Sequence, residues 1–168
     1  DPKKGATYYV NGNKVAVKVH GVDPSTFIGN ILFPTGTDTS GSSFSVAPVG
    51  IVLDGTTAKS ALIISTKSAS FDFIDVSGSL KSIIANRVTF STYANQTLAP
   101  YLKTTGSTLM IKTGDLSGVT LNTDSLKMLT AGNVTGSSLA ITGSTPAKMK
   151  FGAIQDSSIA DTSALLTK

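Results

Sequence analysis

His20 is the only imidazole in this chain of 168 residues, and cysteine is absent. A zinc site built on two or three histidines is therefore excluded, as are thiol nucleophiles, disulfides and Cys-based metal sites. A Ser-His-Asp mechanism would have to recruit His20, which ends an alternating apolar run just before Gly21. No Gly-x-Ser-x-Gly elbow is present to expose a partner serine. Carboxylate chemistry has Asp72 and Asp75 as its closest pair, with Lys81, Arg87 and Lys127 as candidate bases of the kind that cleave acidic polysaccharides. Lys81 and Lys127, however, hold equivalent positions in an internal repeat, and a unique base has no reason to recur. The Gly-Gly-x-Gly-x-Asp calcium repeat is missing. These residues predict no catalytic site, no cofactor and no metal.

Binding chemistries are no better marked. The net charge of +4 comes from thirteen lysines and one arginine scattered singly, apart from Lys3-Lys4, with no cluster interleaved with aromatic platforms, so nucleic acid is not an expected partner. Stacked Thr-x-Thr rows can bind ice, but the one such run, Thr35-Gly36-Thr37-Asp38-Thr39, does not recur. Asn95-Gln96-Thr97 and Asn133-Val134-Thr135 are glycosylation sequons that arise readily in a Thr-rich chain. No stretch approaches the roughly 18 to 20 apolar residues that span a bilayer. A start at Asp rather than Met suggests a product whose leader was removed or a module of something longer.

The elements that would position these groups are strands. Charged residues make up 14% against about 25% in an average soluble domain, there is no Glu, and Ser and Thr supply the polarity. That composition argues against a helical bundle. Alternation at Val15, Val17 and Val19, after the turn pair Asn11-Gly12, predicts a β-hairpin with Lys14 and Lys18 pointing outward. Residues 22–50 read as short strands and long turns. Ile51-Val52-Leu53 and Ala61-Leu62-Ile63-Ile64 then follow as strands around the turn Asp54-Gly55.

Past about residue 60 the chain repeats itself. Ser79–Thr89 matches Ser125–Thr135 at six of eleven positions. A second register starts at Gly114, Gly132 and Gly152, with steps of 18 and 20 residues. Such a period, built of short alternating strands and small turns, is what one coil of a parallel β-solenoid requires. The expectation is an all-β chain in two parts: a hairpin and short-strand capping segment over 1–60, then solenoid coils over 61–168. Leu116, Leu121, Val134, Leu139, Ile154 and Ile159 should stack as inward core ladders, and Leu129 and Ala131 should stack with Met149 and Phe151. The glycines at 114, 132 and 152 should stack where the backbone bends. A β-sandwich is the alternative, although its unequal strand environments give no reason for a repeat in sequence.

The hairpin residues Lys14–Gly21, the run Ala61–Lys67 and the motif Gly78-Ser79-Leu80-Lys81-Ser82-Ile83-Ile84-Ala85 together resemble the repetitive extracellular β-helix proteins of planctomycete-type bacteria. Those are surface or matrix polypeptides with repeats of the form Gly-Ser-Leu-x-x-Ile-x-Ala. The resemblance implies an exported structural or adhesive role, extracellular or at the cell surface, and transfers no catalytic residues.

A solenoid also has two ends that expose unpaired backbone and a cross-section of core. The tail, with Ile159, Leu165 and Leu166, contains no evident capping helix and is expected to be the assembly end. It would meet another copy, or the next domain of a longer chain, by strand addition, giving a filament, surface layer or matrix. The alternative expectation is an adhesin module that binds a glycan or another surface through Ser, Thr and Lys.

Overall fold

The computed structural model describes residues 5–90, 99–143 and 147–161, and every regular element in them is a strand. β1 (Ala6–Val10) and β2 (Asn13–His20) form an antiparallel hairpin. Asn11 and Gly12 turn it with φ of 48° and 78°, the doubly positive geometry that matches strand twist and favours these two residue types. Val15, Val17 and Val19 are buried and Lys14 and Lys18 exposed. Two short strands follow, β3 (Ile28–Leu32) and β4 (Ser43–Phe44).

From β5 (Gly50–Thr56) onward the chain winds into a parallel β-solenoid of about five turns with three faces. The strands of the first coil are β5, β6 (Ala61–Thr66) and β7 (Ala69–Phe71), and those of the second are β8 (Phe73–Gly78), β9 (Leu80–Ala85) and β10 (Val88–Phe90). In the third and fourth coils one long strand, β11 (Tyr101–Thr113) or β13 (Thr120–Thr130), bends across two faces. β12 (Leu116–Ser117) and β14 (Val134–Thr135) supply the third face there. The last coil holds β15 (Ser138–Ile141), β16 (Lys148–Lys150) and β17 (Ile154–Gln155), and β18 (Ser158–Asp161) begins another layer.

Pairing is in register from coil to coil. On the first face Ile51, Ile74, Leu102, Leu121, Leu139 and Ile159 form one inward column. On the second, Leu62, Ile83, Ile111, Leu129 and Met149 form another. Coil-on-coil parallel pairing excludes the sandwich alternative, in which inward residues would meet across two facing sheets.

The parallel stack begins at Gly50, ahead of the boundary at residue 60 read from sequence repetition. The spacing of the column explains the difference. Ile51, Ile74 and Leu102 stand further apart in the chain than the later members, so the early coils have no common period.

The expected glycine column is present: the Gly132 amide donates to the Gly114 carbonyl (3.0 Å) and that of Gly152 to Gly132 (2.8 Å). The left-handed backbone lies elsewhere, at the next turn, where Gly118, Gly136 and Asp156 have φ of 64°, 57° and 49°. Where the chain bends between the first two faces, Gly78 has a φ of 120°, and a Cβ on Gly106 would lie 2.7 Å from its carbonyl carbon. A side chain at Gly106 would therefore force neighbouring coils apart.

Polar groups inside the coil are bonded to one another. Thr104, Thr108 and Thr123 are all buried, and the Thr108 hydroxyl donates to that of Thr104 at 3.2 Å.

The hairpin and β3 close the starting end by running against the coils: β2 pairs antiparallel with β6, and β3 antiparallel with β5. Tyr8, Phe33 and Phe44 pack together there, with ring centroids 4.2 to 6.2 Å apart.

Candidate functional site

Two regions of the solenoid differ from the rest, its final coil and the outside of its second face. In the final coil the inward columns reach the surface. Leu116 pairs with Val134, which pairs with Ile154, and exposure along that column runs 1%, 0% and 51%. Leu121, Leu139 and Ile159 follow the same course at 0%, 1% and 37%. Among the described residues no strand pairs with the far edge of β16, β17 or β18. Leu165 and Leu166 lie outside the described residues. At the opposite end an apolar cavity of about 430 Å³ opens between β2 and β3, lined by Val17, Val19, Phe27, Ile31, Ile51 and Leu53.

The second face is a sheet whose strands, β1, β2, β6, β9, the latter parts of β11 and β13, and β16, contain no acidic residue. One outward column reads Lys18, Ile63, Ile84, Lys112, Thr130, Lys150 and its neighbour reads His20, Ala61, Ser82, Met110, Met128, Lys148. Lys81, Leu109 and Lys127 are level with one another beside these, since the residues flanking them pair in register. Leu109 and Met128 are 39% and 40% exposed. Lysines that look scattered along the chain thus converge on one surface. Sequence reading misses this because a lysine in one coil faces Leu, Ile or Thr in the next.

The groups considered for catalysis do not gather. Asp75 is on the outer side of the first face, beside Tyr101. Burial raises the Tyr101 phenol above its ordinary range, and the Asp75 carboxylate, through its charge and a hydrogen bond, adds to that shift. Tyr101 also stacks on Phe73 at 5.1 Å. Asp72 sits ahead of the same strand, and its amide donates to the Val49 carbonyl (2.7 Å). Lys81 and Lys127 belong to the second face, two coils apart, while Arg87 is exposed at the turn into β10. His20 is exposed at the end of β2. Among the described residues no three His, Asp or Glu side chains come together. The Thr35–Thr39 run lies in the loop between β3 and β4, where Asp38 accepts the Ser40 amide (2.9 Å), which holds its carboxyl below the usual range.

Two polar ladders along the corners of the third face carry no obvious sequence signal. The Asp115 carboxylate accepts the Asn133 amide one coil on (2.7 Å), and the Asn133 side chain accepts the Ala153 amide (3.0 Å). Asn133, the acceptor of a sequon, is thus engaged in the coil stack; Asn95 lies outside the described residues. At the other corner, Ser137 Oγ accepts the Val119 amide and Ser157 Oγ the Ser137 amide, each at 3.1 Å.

No protein-family model, curated protein or solved structure matches this chain. No helix in the described residues is long and apolar enough to cross a membrane.

Proposed function

We propose that this chain is a non-enzymatic structural protein that joins end to end with further copies of itself, outside the cell or at its surface. The observation that carries the reading is the emergence of both core columns at Ile154 and Ile159. Residues of the same columns one coil earlier are fully covered. Exposed core aliphatics beside an edge with which no described strand pairs favour association over solvation. The apolar opening between β2 and β3 is the complementary surface at the other end. A contact between different ends is heterologous, so it extends into a fibre unless the rotation closes a ring. The extracellular assignment draws on the resemblance of the Gly78–Ala85 motif and its neighbours to β-helix matrix proteins.

The test is sedimentation velocity with negative-stain microscopy across micromolar concentrations. Long particles that grow with concentration, and that Ile159→Asp abolishes, are the expected result. A chain that stays monomeric throughout refutes end-to-end assembly. Adhesion to a glycan is the second reading, favoured by the acid-free lysine face.

A further inference from the structure

We infer that the outer surface of the second face binds an acidic polysaccharide with about one carboxylate or sulfate per disaccharide. This rests on the adhesive reading and is independent of end-to-end assembly. Charge comes first: the strand segments on this face carry Lys18, Lys81, Lys112, Lys127, Lys148 and Lys150 and no acidic residue, while Asp124, at the bend of β13, and Asp161, whose carboxylate accepts the Ala147 amide, stand at its edges. Positive charge is therefore in excess over several adjacent strands, the condition for collecting a polyanion.

Spacing narrows the class. Neighbouring strands lie about 4.8 Å apart. Lys81 and Lys127 are separated by one intervening strand, as are Lys112 and Lys150, so each pair repeats at roughly 10 Å along the solenoid axis. That interval suits an anionic group on alternate sugars. Duplex phosphates follow one another at about 3.4 Å of axial rise per strand, which is far denser.

The uncharged positions fit the same partner. Ile63, Ile84 and Met110, with the more exposed Leu109 and Met128, lie between the lysines and offer an apolar floor to the C–H faces of pyranose rings. Single-stranded nucleic acid instead wants aromatic stacking platforms. Among the described residues of this face the exposed ring side chains are Tyr9, on β1 at the far edge, and the single imidazole of His20 at the end of β2.

The experiment measures binding of the full chain to hyaluronan, chondroitin sulfate, neutral dextran and oligo-dT, using wild type and the Ile159→Asp variant so that end contacts play no part. Hyaluronan or chondroitin sulfate should bind at low salt and be released as ionic strength rises. The combined variant Lys81→Ser, Lys127→Ser, Lys112→Ser, Lys150→Ser should weaken this about tenfold or more, while the four Lys→Arg changes preserve it. Lys103→Ser, on the first face, should leave it unaltered, and circular dichroism shows whether each variant is folded. Equal or tighter binding of dextran overturns the anionic class while leaving adhesion standing. Binding of none of the glycans overturns both, and preference for oligo-dT, or folded Lys→Ser variants that bind as wild type does, overturns the inference.

Discussion

The Thr104 hydroxyl donates to that of Thr123 across 2.7 Å, joining two coils nineteen residues apart through the inside of the solenoid. Both side chains are at most 2% exposed, so water offers neither a substitute partner. Thr108 extends the chain on one side, and the Ser125 carbonyl, 3.4 Å from the Thr123 hydroxyl, accepts on the other. Replacing Thr123 with Val leaves the Thr104 hydroxyl proton without its acceptor and should cost about 1–3 kcal/mol in urea unfolding. The triple Thr104→Val, Thr108→Val, Thr123→Val variant should cost less than the sum of the three single changes, because no buried hydroxyl is left without its partner.

Position along a column should decide the cost of truncation. Val134→Ala removes methyl groups from a fully covered site and should cost about 2 kcal/mol or more. Ile154→Ala, in the same column but half exposed, should cost below about 1 kcal/mol in the isolated chain. Val134→Asp should prevent folding outright, since an unpaired charge would replace a core aliphatic. Chemical denaturation of the three variants at one concentration checks the ranking.

Alkaline pH should destabilise the protein through Tyr8. Burial pushes its phenol well above the ordinary value near 10, and among the described residues its hydroxyl has no hydrogen-bond partner. Below pH of about 10 the folded and unfolded chains are both protonated at this site. Above it the unfolded chain ionises first, so stability falls as pH rises. Tyr8→Phe should be as stable as wild type or more so at pH 7, and should lose less stability at high pH. Thermal melts between pH 7 and 11 measure both; Tyr101, also shifted upward, accounts for a residual slope.

The Asp115 to Asn133 ladder should matter modestly. Asp115→Ala removes the acceptor of the Asn133 amide at an exposed corner and should cost about 0.5–1.5 kcal/mol. Amide exchange at Asn133 should quicken while that of Leu121, within the sheet, stays slow. Equal protection of Asn133 in both proteins would show that the carboxylate contributes nothing to the corner.

Legibility in the sequence followed regularity. Asn11-Gly12 between alternating valines identifies the hairpin because a two-residue turn is a local device. Gly114, Gly132 and Gly152 reveal the coil because adjacent layers there have nearly equal length. Ile51, Ile74 and Leu102 share one column without any such signal, since their layers carry loops of different size. The basic face was hidden for a related reason. A column needs only shape and side in common, so Ile84, Lys112, Thr130 and Lys150 succeed one another where no repeat is visible in the letters.

The reversed direction of β2 and β3 sets a limit on how such a molecule can change in length. A duplicated layer could not dock against those two strands in the parallel register that joins coil to coil. New layers can enter only between existing ones or beyond the last, so the tower has a fixed foundation and an adjustable height.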